Sequence, residues 1–305
     1  MIKPSRADFL DYPIQKYPTQ TMDYYFNRSF QYGFIDNSTK VVSMGSCFGI
    51  EIARYLKKLK YNYIVTEKNK FFSAAWDKLY TISAIRQVFE YSLDPESFQP
   101  IVRWWERGDK YQDPFRRAFN YKPKYSERAF EKHQECAKSA LEQADVITIT
   151  LGMTELWRDK RDKSTYWRVP PIELFDEEIH EFVIQNVDDV LIEMNRIRGL
   201  VPNTKIIWTV SPVPFKATFR KDCDPITANF YSKATLRSAV DLFVRSDENS
   251  YYFPSFEAVI LGHSERYMPD NRHIKPKIIK NMMLFFKRMF FIEEEIEQEE
   301  EIEGE

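Results

Sequence analysis

The run Asp145–Leu151 (DVITITL) constrains the fold of this chain more than any other stretch. Five of its seven residues are β-branched and no charge interrupts them after Asp145. Such a strand is covered on both faces, which is the situation inside a parallel sheet sandwiched by helices. Lys205–Val210 (KIIWTV) repeats the pattern, and Lys40–Met44 (KVVSM), Tyr61–Val65 (YNYIV) and Tyr251–Phe253 are shorter β-rich runs. Between them lie segments of helical period. Phe48, Ile52, Tyr55, Leu56 and Leu59 follow Gly45, and Trp76–Tyr91 reads as a helix ended by Asp94-Pro95. A third helix is expected over Ser126–Gln143. Ile179, Phe182, Val183, Val187, Val190, Leu191, Met194 and Ile197 mark one face of a long helix that stops near Gly199 and Pro202. Asp224-Pro225 opens another with a cap and a proline at its first position, and Ile274–Phe290 closes the pattern. Strands alternating with helices predict an α/β fold of three layers, doubly wound around a mainly parallel sheet.

Pro95 to about Tyr125 breaks the alternation. It is aromatic, basic and irregular, and is expected to be an insertion over the domain. No repeat or linker divides the rest, so residues 1–292 are expected to form one domain with an insertion at about 95–125. From Glu293 to Glu305 there are nine glutamates and no lysine or arginine. A block of like charges stays solvated, so 293–305 is expected as an acidic disordered tail. Without those glutamates the chain holds 44 lysines and arginines against 37 acids, a mildly basic body that suits an anionic substrate or partner.

Composition excludes several function classes. With 43% hydrophobic and 30% charged residues the chain is globular. It has no apolar run of roughly 18 residues or more, so no membrane span is expected. Met1–Leu10 lacks the apolar core of a secretory signal. Cys47, Cys136 and Cys223 are widely spaced and odd in number, which suits a reducing, cytoplasmic setting. The basic residues are scattered rather than striped, so no nucleic acid partner is expected. No His/Asp/Glu cluster has ligand spacing, so no metal and no cofactor is expected.

In an open parallel sheet, ligands bind beyond the carboxyl ends of the strands. Three polar clusters fall there: Gly45-Ser46-Cys47-Phe48-Gly49, Gly152-Met153-Thr154-Glu155 and Asp270-Asn271-Arg272-His273. Ser46 stands at a strand-to-helix turn, where free N–H groups favour a developing oxyanion. A serine hydroxyl needs a base, and His273, with Asp270 three residues before it to orient the ring, is the best placed of four histidines. His263, in a loop, is the second choice; His133 and His180 sit in expected helices. Ser46 also fits a helix N-cap, and Cys47 is either a rival nucleophile or a small core residue. Thr154 is a candidate oxyanion donor, and Glu155 either a site carboxylate or a loop anchor. Trp104, Trp105 and Trp157 are candidate sugar-stacking rings as well as packing residues.

These clusters carry a family resemblance. Gly45-Ser46-Cys47-Phe48-Gly49 resembles the name-giving motif of the GSCFA-domain proteins, with glycine in place of the final alanine. Thr150–Trp157 (TLGMTELW), Thr209–Val213 (TVSPV), Tyr252–Glu257 (YFPSFE) and Asp270–His273 (DNRH) are similar to four further blocks of that family, in the same order, over about residues 40 to 275. The family is related to the SGNH or GDSL hydrolases. The resemblance therefore implies a flavodoxin-like, SGNH-type fold, with Ser46 as nucleophile, His273 as base and Asp270 as the orienting carboxylate. Gly45, Cys47, Gly152, Thr154 and Glu155 then fall at the oxyanion or substrate site. The superfamily's oxyanion asparagine is absent here, where Gly152-x-Thr154-Glu155 stands. Its second-block glycine is not evident in Lys70–Ala75, so the oxyanion hole is altered. Loss of one such donor typically costs about 100- to 1000-fold in rate.

The function expected is that of a serine esterase or O-acyltransferase acting on O-acyl groups, O-acetyl first among them, on a carbohydrate or other small molecule. Trp104, Trp105, Arg116 and Arg117 of the insertion are candidates for a lid or acceptor groove. The alternative is a non-catalytic carbohydrate-binding or scaffold protein that keeps the fold.

Overall fold

The β-branched runs do come together as one sheet. In the computed structural model, which describes residues 31–68, 72–76, 78–117 and 119–292, the elements in chain order are β1 (Val41–Gly45), α1 (Gly49–Lys58), α2 (Ile82–Leu93), β2 (Trp105–Arg107), β3 (Lys110–Gln112), β4 (Asn120–Tyr121), α3 (Pro123–Gln143), β5 (Val146–Leu151), β6 (Glu155–Asp159), β7 (Thr165–Tyr166), β8 (His180–Ile184), α4 (Val187–Leu200), β9 (Lys205–Val210), α5 (Pro225–Val244), β10 (Ser250–Phe253), α6 (Ser255–Gly262) and α7 (Pro276–Phe290). The acidic tail expected at 293–305 lies outside the described residues.

The central sheet runs β1-β5-β9-β10, all parallel, with Val41 opposite Val146 and Ile147 opposite Ile206. Every residue of β5 is buried. Its alternate side chains feed two apolar clusters on opposite faces: Ile147, Ile149 and Leu151 meet α2, α3, α4 and α5, and Val146 meets α1, α6 and α7. The result is the expected α/β fold, a parallel sheet between two helical layers.

Four expectations change. Tyr61–Val65 forms one parallel bridge, Tyr63 to Val41, and not a strand, because Thr66 N–H turns to Ser73 O. The bridge still places this segment outside β1, so the spatial order follows the flavodoxin-like pattern, whose switch point lies between β1 and β5. The helix expected at Trp76 begins at Ile82, behind a Thr81 cap. Leu79 N–H is drawn to Gly45 O, and Tyr80 O accepts from Gly152 and Met153, which holds this stretch extended against the sheet ends. The face marked from Ile179 to Ile197 is split. His180–Ile184 is strand β8, paired antiparallel with β6, and α4 starts only after Asn186, which forms a reciprocal cap with Asp189. A short periodic run is ambiguous between strand and helix, and the cap decides it. Finally, the segment from Pro95 to Tyr125 is not irregular throughout. It carries the antiparallel meander β2-β3-β4 and an ion pair, Arg116 to Asp113 at 2.7 Å, with both side chains 1% exposed.

Candidate active site

Gly45 ends β1 with φ +119°, and a Cβ there would lie 2.3 Å from Thr150 O. Only glycine lets β1 close on β5 at this point. The next residue, Ser46, is lifted over the sheet end, its N–H donating to Thr150 O at 2.9 Å. Gly152 directly follows the neighbouring strand β5, and a Cβ on it would come within 3.2 Å of Ser46 Cβ. Ser46 is not the cap of α1: Phe48 holds that position, with no side-chain cap bond. The Ser46 hydroxyl is buried and has no hydrogen-bond partner among the described residues. An unpaired buried hydroxyl costs about 1–3 kcal/mol; the Ser92, Thr148, Thr150 and Ser164 hydroxyls are unpaired too, but of them all Ser46 alone lines the cavity at the strand ends.

Asp270 and His273 sit on a turn closed by Met268 N–H to His273 O at 2.7 Å. Asp270 Oδ1 accepts from the N–H groups of Arg272 and His273, both at 3.0 Å, while Asn271 adopts a left-handed conformation at φ +55°. Asp270 Oδ2 bonds His273 Nδ1, which leaves Nε2 as the free base. The His273 hydrogen bonds hold the Asp270 carboxyl down at about 2, so it is ionised at any working pH. Arg272 Nε ties the turn to Pro214 O, in the loop that follows β9.

Ser46, Cys47, Gly152 and His273 line one cavity of about 700 Å³ at the carboxyl ends of β1, β5 and β9. No hydrogen bond joins Ser46 to His273. Such contacts often close only when substrate binds. Two expected residues point elsewhere. Thr154 is buried against Ser232, Oγ1 to Oγ at 2.7 Å, and Glu155 accepts the Thr218 hydroxyl at 2.8 Å on each oxygen. Burial raises the Glu155 carboxyl, which lines a smaller apolar pocket next door. Neither lines the Ser46 cavity. The Gly152 N–H is also engaged, donating to Tyr80 O at 2.9 Å.

Of Trp104, Trp105, Arg116 and Arg117, Arg117 alone lines the cavity. Arg116 and Trp105 are buried, and Trp104 bonds Glu127 at 2.7 Å. Trp157 packs with Phe175, Phe182 and Phe219; Trp167 is the tryptophan in the cavity wall. His133 is buried, His180 lies in β8 and His263 follows α6; none of them lines the cavity.

Two residues that sequence reasoning missed complete the picture. Tyr80 lines the cavity beside Cys47 and Arg117. Burial, and then Cys47, push its phenol well up against the pull of Arg117, so it remains an O–H donor at neutral pH. Lys233 is fully buried in α5 and donates to Gly152 O at 2.6 Å and Val213 O at 3.1 Å, cross-tying two walls of the cavity. Burial pushes its ammonium down to about 7. The signal was present: Lys233 is the one lysine on a stripe of buried positions that includes Ala228, Ser232, Leu236, Ala239 and Val240. Among the described residues no group of three or more His, Cys, Asp or Glu side chains converges as metal ligands would, and no helix is long and apolar enough to cross a membrane.

Residues 40–286 match the family model described as the GSCFA family. No curated protein matches the chain. Among solved structures, the Clostridium thermocellum family 3 carbohydrate esterase is similar at a TM-score of 0.37 and 12% identity, over 83% of this chain and 94% of that one.

Proposed function

The chain belongs to the GSCFA family, and from that premise we propose that it is a serine esterase or O-acyltransferase working through a Ser46 acyl-enzyme. One observation carries the reading: an unpartnered, buried Ser46 hydroxyl shares a cavity with a histidine whose Nδ1 is held by a carboxylate. Ser46 Oγ attacks the acyl carbonyl as His273 Nε2 takes its proton. Asp270 fixes the tautomer and stabilises the imidazolium. Collapse expels the alkoxide, which His273 protonates. Water or an acceptor hydroxyl, deprotonated by the same nitrogen, then releases the acyl group.

The oxyanion needs donors other than those usual for such sites. The Ser46 and Gly152 N–H groups are spent on Thr150 O and Tyr80 O, and Thr154 faces Ser232. The Tyr80 hydroxyl, which interacts with Cys47 and Arg117, and the Arg117 guanidinium are donors that line the same cavity as Ser46. A hole built from them is expected to be slower than one with preorganised backbone donors. The acyl group is proposed as O-acetyl and its carrier as a carbohydrate, with Trp167 rather than Trp104, Trp105 or Trp157 available to stack on a sugar ring.

A non-catalytic binding role is the second reading, favoured by the engaged N–H donors and by the open gap between Ser46 and His273. Labelling with a fluorophosphonate probe separates the two. The acyl-enzyme reading expects labelling of the wild type that is lost in Ser46→Ala and in His273→Ala. Folded wild-type protein that stays unlabelled would sink it in favour of the binding role.

A further inference from the structure

The wall of the Ser46 cavity is unusually one-sided in charge. Lys78, Arg117, Arg168, Lys216 and Arg272 line it, brought from five separate segments, and no aspartate or glutamate does. Asp270, behind His273, is committed to that ring. Several arginines elsewhere are matched to carboxylates: Arg107 to Glu173, Arg158 to Glu181, Arg161 to Asp159 and Arg237 to Glu257, all at 2.6–2.7 Å. By contrast Arg117, Arg168, Lys216 and Arg272 form no ion pair among the described residues. Arg168 Nε is buried without a hydrogen-bond partner; its guanidinium lies over the Trp167 ring at 4.7 Å within the field of Glu173, and its terminal nitrogen reaches Gln112 Oε1 at 3.4 Å. Cations gathered around one concavity repel one another and focus a positive potential on it, a cost that an anionic ligand offsets.

We infer that the molecule carrying the acyl group bears a phosphate, held by Arg168, Lys216 and Arg272 while its ester faces Ser46. A single carboxylate would leave most of these cations unmatched, whereas a phosphate dianion accepts bidentate guanidinium pairs and further lysine contacts. The cavity, about 700 Å³, is of small-molecule size. The chemistry rests on the acyl-transfer reading above; the anion site does not.

Titration calorimetry on the full-length Ser46→Ala protein tests the binding without turnover. The probes are mono-O-acetylglucose 6-phosphate, mono-O-acetylglucose and inorganic pyrophosphate. The phosphorylated ester is expected to bind at least about tenfold more tightly than the neutral one, as charge-assisted bonds would provide. That ratio should shrink with added salt and fall toward one in Arg168→Gln and in Lys216→Gln, the second an exposed residue whose replacement leaves the fold intact. Equal affinity of the two esters, or binding of neither, overturns the inference. So does a ratio unmoved by both substitutions, or binding of pyrophosphate without any preference for the phosphorylated ester. Fluorophosphonate labelling of the wild type is read separately. A phosphate preference in a protein that is never labelled would keep the anion site and remove the acyl-enzyme, and labelling without the preference would do the reverse.

Discussion

Two hydroxyl–histidine–carboxylate sets stand out among the described residues, and they behave as opposites. In the first, the Tyr91 hydroxyl meets His133 Nε2 at 2.7 Å and His133 Nδ1 meets Glu67 at 2.8 Å. His133 is wholly buried, Glu67 also accepts from Ala75 N–H, and none of the three residues lines the Ser46 cavity or the smaller pocket beside it. In the second, Ser46 stands unpartnered while Asp270 and His273 lie exposed on a turn across a 700 Å³ cavity. The same three group types are fully satisfied in one place and left open in the other. A satisfied buried network specifies a core, here by pinning α3 to α2 and to the loop at Glu67. Chemistry needs a group whose hydrogen bonds are not yet made and a space for the reacting atom. Residue type alone does not separate the two sets, whereas access and unmet bonding do.

The comparison can be broken most directly at the hydroxyls. Ser46→Ala is expected to lower acyl-ester turnover by about 1000-fold or more, since it removes the nucleophile and leaves only binding and oxyanion contacts. Turnover that survives would move the nucleophile elsewhere, with Cys47 first in line. Asp270→Asn should keep the fold and cost about 100-fold or more in kcat, because the amide no longer secures the tautomer with a free Nε2; a steady-state assay over a range of pH reads this. Lys233→Met removes the tie between Gly152 and Val213, and about a tenfold loss in kcat/KM is expected as the cavity walls loosen. An unchanged kcat/KM in a folded variant would make Lys233 a purely structural residue.

The buried set should answer in stability instead. Tyr91→Phe strips the donor from His133 Nε2, with an expected loss of about 1–3 kcal/mol in denaturant unfolding and no loss of fluorophosphonate labelling. Labelling that falls with Tyr91 would tie the two sets together. Burial, then Arg116, pushes His133 down to about 4, so it is neutral in the folded protein. The unfolded chain takes up a proton on this ring below its ordinary value near 6.5. The unfolded state therefore binds more protons between about 6.5 and 4, and stability must fall as pH drops through that window. His133→Gln should flatten this part of the unfolding profile.

Much of the scaffold was legible. DVITITL and KIIWTV are central strands because unbroken β-branched runs can be buried only between two helical layers, and Asp224-Pro225 starts α5 because the cap and the fixed proline φ act locally. The glycines at 45 and 152 were found as motif positions, but their roles were not. They serve close backbone approach, a matter of a few tenths of an ångström that depends on Thr150 and Tyr80 from other parts of the chain. His180–Ile184 reads as the start of a helix in the sequence, because short antiparallel strands such as β6 and β8 are stabilised by pairing with each other and carry little period of their own.

The site divides along the same line. Sequence alone determined that Ser46 follows a strand, that Asp270 stands three residues before His273, and that the chain holds enough β-branched and periodic residues for a doubly wound sheet. These are properties of neighbours along the chain. Tertiary structure decided which hydroxyl stays unpaired, that Thr154 and Glu155 turn away, that Tyr80 and Lys233 enter, and that five cations from separate segments face one cavity. Those outcomes depend on contacts between residues scores of positions apart, where burial sets the cost of every unmet hydrogen bond and every unmatched charge.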